Sequence, residues 1–399
     1  MKGHNMDKKF KTDKNGKILD SDELFEKLNE MLDNEEYSAV VSEILSIPRE
    51  KWSNKLRFLL VCAYNNLRDF THAERELDEV AELSEKPNDI ARCHYSRGYM
   101  CYMKDNEIMA RGHYRKAAET DPDYAKEIDL EEDINECGKL ISEDLSGFHA
   151  LSEKVTEEIG KRCAESGRKK DISDEAFQVR LGFFPAIRKL PGFEHPIGFG
   201  DYFVQYDKED KKKCRQWFEN YYGITDKESF FRHIQTDVGC NNARMFYDVA
   251  AYLSGKPNFD VRELDDRGSF SFENAVMFIS TFIGYLPQAG VLAWDICEKI
   301  GFARHAYACG LIGNTDYCQG MLALSDTAKR NFSDWDAYMR SLIFGAGLYM
   351  FVQDEWSISG AAGFVSKLTP VLLQSDLAEV RWYIPESRFD RENYKKNKG

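Results

Sequence analysis

The stretch ARCHYSRGYMCY (residues 91–102), followed after a short gap by ARGHYRKAAETDP (110–122), decides the fold. Gly98, Ala110, Tyr114, Ala117 and Pro122 stand at spacings of 12, 4, 3 and 5. Small and aromatic residues at that rhythm suit two helices packed back to back. Gly98 marks a crossing too close for a β-carbon. Ala110 and Ala117 keep the second helix thin, and Tyr114 fills the gap beside them. Pro122 lacks an amide donor and clashes with a preceding turn, so it ends the second helix.

Working outward, 54–86 keeps Leu60, Tyr64, Ala73, Leu77 and Val80 at corresponding offsets around a turn RDFTHA (68–73). Val61 stands at the close-crossing position and the proline comes late, at Pro87. A weaker unit spans 22–47, with Tyr37 and Ala39 near its turn. These three hairpins resemble a tetratricopeptide-repeat array over about 22–122. That resemblance implies a protein-binding function, with the first helix of each unit lining a concave face. On it Arg92, Tyr95, Tyr99 and Tyr102 form one stripe, matched in the preceding unit by Lys55, Phe58, Cys62 and Asn65. Basic residues at one end and tyrosines inside suit an extended peptide with an acidic group and apolar side chains. Alternatively, the chain's own capping helices cover the tyrosines.

Composition sets the bounds. The chain has 399 residues, 43% apolar and 13% aromatic, which is ample for two cores. A net charge of −14 disfavours nucleic acid and anionic membranes as partners. Ten cysteines are scattered without a C-x-x-C pair, against a zinc site or disulfide scaffold and for a reducing cytoplasm. The lysine-rich start lacks the apolar core of a secretory signal. Residues 274–294 carry no charge, yet they include Pro287 and have no basic flank. Two buried helices meeting at Pro287 explain this stretch better than a membrane span.

After Pro122 the composition shifts: 121–144 holds ten acidic and two basic residues, with apolar positions still at helical spacing. This predicts a capping helix over about 128–145, then another at 148–165, with a boundary at 167–170. The expected organisation is a solvated tail (1–20), repeats with capping helices (21–166), a second helical domain (172–386) and a tail (387–399). Within the second domain a Gly/Pro-rich excursion covers 190–200 and a short strand 201–206. Helices are expected at 208–222, 226–235, 241–254, 272–286, 289–311, 314–330 and 333–350. Thr225-x-x-Glu228 and Ser333-x-x-Asp336 mark two of the starts. The fold class is all-α.

The ordered set YGI (222–224), TDKESF (225–230), AWD (293–295), GFARHAYACGLI (301–312) and FSDWDAY (332–338) resembles a bacterial helical module, domain of unknown function 1266, over about 175–385. The resemblance implies an architecture and a bacterial setting but no activity. It also implies a basic residue four positions after Trp294, where this chain has Glu298.

Trp294, Asp295, Arg304 and Trp335 are the candidate residues of this second domain. A structural role is favoured for Asp295, as an acid near a helix start with Lys299 one turn on, and for Trp294, packed against the Trp335 helix. Cys297, His305 and Cys309 cannot converge on one metal ion from a single helix, so no metal site and no cofactor are expected. No nucleophile elbow, phosphate loop or zinc-protease motif is present. The sequence therefore favours a cytoplasmic protein-interaction adaptor over an enzyme. One alternative is an enzyme with a pocket around Asp295, Arg304 and His305. Another is that the repeats only brace the second domain.

Overall fold

A computed structural model describes residues 22–167, 170–182, 201–236, 241–257, 266–352, 360, 362–363, 365–366, 377 and 379–382. The expected tails and the 190–200 excursion lie outside these residues. Among them the chain is all-α, and extended pairing is limited to one isolated bridge between Lys170 and Val380. Two compact units divide at Glu143 and Asp144.

The first unit contains three helical hairpins: α1 (Asp22–Asp33) with α2 (Tyr37–Leu45), α3 (Asn54–Asn66) with α4 (Phe70–Leu83), and α5 (Pro87–Tyr102) with α6 (Glu107–Thr120). A short α7 (Pro122–Glu127) follows, starting at the proline that ends the array. All three hairpins use the same turn. Glu35, Arg68 and Asp105 are left-handed, at φ of 61°, 58° and 56°. The next amide in each, at Glu36, Asp69 and Asn106, bonds back to the carbonyl of Met31, Tyr64 or Cys101 at 2.8–2.9 Å. That is one helix C-terminal motif repeated three times. Gly98 is the close crossing: a β-carbon there would stand 2.5 Å from the Tyr114 ring.

First helices of successive hairpins pack on one another, α1 on α3 and α3 on α5. The second helices pack chiefly on their chain neighbours. A stack closed on one side and splayed on the other is concave on the first-helix side. Within the second hairpin, Arg57 of α3 and Glu76 of α4 form a buried ion pair, extended by Arg49 and Glu79 at the margin.

The two helices expected at 128–145 and 148–165 are one continuous helix, α8 (Leu130–Ser166). Nothing in 145–148 breaks it, because Gly147 is tolerated within a long helix at a modest propensity cost. The unit division falls inside α8 rather than at 167–170. The reason lies in its side chains. Leu130 and Cys137 join the core of the third hairpin, whereas Phe148 packs on Phe278, Phe282 and Phe344 of the second unit.

The second unit continues with α9 (Asp174–Leu181), α10 (Lys208–Tyr222), α11 (Lys227–Thr236), α12 (Asn242–Leu253), α13 (Asp266–Phe282), α14 (Leu292–Ala308), α15 (Asn314–Asn331) and α16 (Trp335–Val352). α14 and α16 are buried nearly all round and cross at glycines. A β-carbon on Gly345 would stand 2.4 Å from that of Trp294, and one on Gly347 would stand 2.5 Å from the Phe148 ring. The uncharged stretch 274–294 breaks around Pro287 as expected, with a 3₁₀ turn (Ile283–Tyr285) before α14 begins. No helix among the described residues is long and apolar enough to cross a membrane.

Three local expectations are corrected. Residues 201–206 form no strand, because their polar groups are taken by side chains of α14 and α15 rather than by a second strand. The cap of α11 is Asp226, which accepts from the Ser229 amide at 2.8 Å, rather than Thr225. Likewise Asp334, not Ser333, caps α16 by accepting from Ala337 at 2.9 Å. In both cases the helix starts one residue later, where a carboxylate makes a charge-assisted bond to the amide three residues on.

Candidate functional site

The stripe residues of the first unit are graded in exposure. Arg92, Tyr95, Tyr99 and Tyr102 on α5 are all half-buried, and on α3 Lys55 is half-buried while Phe58 and Asn65 are buried. Asn65 has an amide oxygen without a hydrogen-bond partner among the described residues. Cys62, between them, is exposed. Nevertheless its thiol pKa is raised, because surrounding protein desolvates the thiolate. Burial also raises the pKa values of Tyr37, Tyr95 and Tyr99, and the nearby Cys62 adds to each. Cys62 and these three tyrosines therefore lie near one another.

The stripe is polar at both ends. At one, the Arg92 guanidinium lies 4.4 Å above the Phe58 ring and the Lys55 ammonium 5.6 Å from the Phe25 ring. At the other, Tyr102 donates to Glu136 at 3.2 Å. Between them Tyr95 rests on Tyr114 and meets Tyr124 edge-on, with ring centroids 5.6 and 6.4 Å apart. The chain thus covers part of the stripe itself: α7 reaches Tyr95 and α8 reaches Tyr102, while Tyr99 and Cys62 lie between.

In the second unit the expected residues do not converge. Trp294 and Trp335 are each 1% exposed and belong to the core, with Trp294 stacked on Tyr349. Asp295 is buried and accepts the amides of Asn242 and Ala243 at 2.7 and 2.9 Å, so it caps α12 from a neighbouring helix. Burial pushes its carboxyl up to about 7, outweighing those two hydrogen bonds and the Lys299 charge, both of which favour the ion. Lys299 does not pair with it at hydrogen-bond range and donates instead to Asn241 at 2.9 Å.

Arg304 lies half a turn round α14 from Asp295, donating to the Asp201 carbonyl at 2.8 Å. Its pKa is lowered by burial. His305 meets the Tyr206 hydroxyl at 2.6 Å. Burial, with Arg304 adjacent, pushes the imidazole down to about 3, so it is neutral. Asp295, Arg304 and His305 thus each bond to a different neighbour. Glu298, at the position where the resemblance implied a basic residue, is buried. No cluster of three or more metal-ligating side chains occurs among the described residues.

The sequence missed Asp201, Tyr202 and Tyr206 as partners of α14 and α15, and Trp382 as a core residue against Trp335 at 4.8 Å. Irregular segments carry no period, so only their aromatic content could have flagged them.

Residues 218–376 match the model of a family described as protein of unknown function (DUF1266). The match opens in α10 and runs past the end of α16, so it covers most of the second unit and none of the hairpin array. No curated protein and no solved structure matches the chain.

Proposed function

We propose that the protein is an interaction adaptor whose first unit is a tetratricopeptide-like array holding a short extended peptide along α3 and α5. The observation carrying this reading is the half-buried stripe along α3 and α5, with exposed Cys62 near Tyr37, Tyr95 and Tyr99. Tyrosines offer broad contact at low entropy cost, together with a hydroxyl. From Arg92 to Tyr102 a helix rises about 15 Å, which an extended chain spans in four or five residues. The preferred ligand places a carboxylate at the Lys55–Arg92 end, apolar side chains over Tyr99, and a basic residue toward Glu136. The second unit supplies a rigid helical module whose own role is scaffolding or regulation. The proposed setting is a bacterial cytoplasm, in keeping with cysteines that form no disulfide among the described residues. Partial cover by α7 and α8 favours a second reading, in which these helices close the array and it serves as a brace.

A synthetic peptide array tests this. Five- to seven-residue peptides with an acidic residue at one end and a basic residue at the other should bind the full chain. The double variant Arg92→Ala, Tyr99→Ala should lose that binding with its thermal melt nearly unchanged. Equal binding by a well-folded double variant would remove the stripe from consideration.

A further inference from the structure

Two thiols from helices far apart in sequence share one buried spot in the second unit. Cys214 lies in α10 and Cys309 caps the C-terminus of α14, and they are 0% and 1% exposed. Cys214 Sγ lies 3.8 Å from the His305 carbonyl oxygen and Cys309 Sγ 3.6 Å from that of Ala306. The sulfurs thus sit over consecutive carbonyls of the last turn of α14, and a hydrogen bond joins them. Arg215, the next residue along α10, donates to the Cys309 and Gly310 carbonyls at 3.0 and 2.8 Å, fixing the two elements together. The two thiols differ in character. The hydrogen bond from Cys214, the Leu311 amide and the Arg215 charge favour thiolate at Cys309, while the same bond and burial hold Cys214 protonated. The residues that follow the pair along the chain, Arg215 and Gly310, are both exposed.

We propose that Cys214 and Cys309 form a reversible disulfide in response to hydrogen peroxide, stapling α10 to the end of α14. The Cys309 thiolate attacks one peroxide oxygen, breaking the O–O bond and releasing hydroxide, to give a sulfenic acid. Cys214 sulfur then attacks the Cys309 sulfur, forming the S–S bond. The sulfenic hydroxyl leaves with the Cys214 proton as water. Two thiols are oxidised and one peroxide is reduced; after the hydroxide takes up a proton, two waters result. A dithiol reductant reverses the bond by exchange.

Native full-length protein is treated with limiting hydrogen peroxide, its remaining thiols are alkylated after denaturation, and the digest is read by mass spectrometry. The expected result is a Cys214–Cys309 peptide pair short of two hydrogens, abolished by dithiothreitol, with a melting temperature several degrees higher when linked. Cys214→Ser should instead leave a dimedone-reactive sulfenic acid at Cys309. Recovery of both residues as alkylated thiols while exposed Cys62 is oxidised would overturn the proposal. Because the first measurement needs no variant, a substitution that fails to fold leaves the proposal open to refutation.

Discussion

Gly98 and Gly147 both lie within helices, and the same substitution should move stability in opposite directions at the two. At Gly98 a β-carbon meets the Tyr114 ring at 2.5 Å and the Ala110 carbonyl at 3.1 Å. Gly98→Ala should therefore cost about 1–3 kcal/mol in urea unfolding, as overpacking does. At Gly147 nothing lies within 4 Å, so Gly147→Ala should add about 0.5–1 kcal/mol through helix propensity alone. The Gly98 crossing was legible because spacing alone demanded it. The repeated left-handed turns at Glu35, Arg68 and Asp105 were not, since none of them is the glycine that usually marks such a turn. His305 has a measurable acid signature. Its folded pKa near 3 lies below the ordinary 6.5, so the unfolded chain takes the proton first. Its contribution is complete above pH 6.5 and is lost at about 1.4 kcal/mol per pH unit as pH falls toward 3. Asp295 slopes the opposite way, because its raised pKa makes the folded chain the better proton binder between its unfolded value and about 7. His305→Gln should flatten the acid limb of a stability–pH curve, and an unchanged limb would show that the imidazole is solvated.

Among elements, α14 and α16 carry the second unit. Trp294 and Trp335 are each 1% exposed, and Trp294 packs against the glycine face of α16. Trp294→Ala and Trp335→Ala should each cost roughly 3–5 kcal/mol in chemical denaturation, typical of aromatic core truncation. A loss below about 1 kcal/mol would mean that the core collapses around the gap. Helix positions in this unit were legible to within a few residues, because apolar periods and glycine or proline stops repeat along it. The chemistry was less so. Asp295 reads as an acid at the start of its own helix, yet it serves the N-terminus of α12, a contact that no spacing within α14 encodes. Arg304 and His305 were visible as polar residues in an apolar helix, but their partners lie in the irregular segment 201–206. α8 shows the reverse failure. A composition change suggested two helices, and the backbone made one, because acidic and apolar residues alike are compatible with helix.

At the scale of the whole molecule, each unit has its own core, and only the second contains the stretch matched by a family model. The first unit carries the stripe along α3 and α5, proposed as a ligand site rather than a by-product of stacking. Acidic residues dominate that unit, 29 against 16 basic over 22–143. Lys55 and Arg92 therefore stand out as the place for a carboxylate, with the surrounding field drawing a basic residue toward Glu136. The most direct measurement is hydrogen–deuterium exchange of the full chain with and without the tightest-binding peptide from the array. Slowed exchange confined to α3 and α5, centred on Cys62 and Tyr99, is the result expected. Slowed exchange confined to 218–376, with α3 and α5 unchanged, would contradict the account.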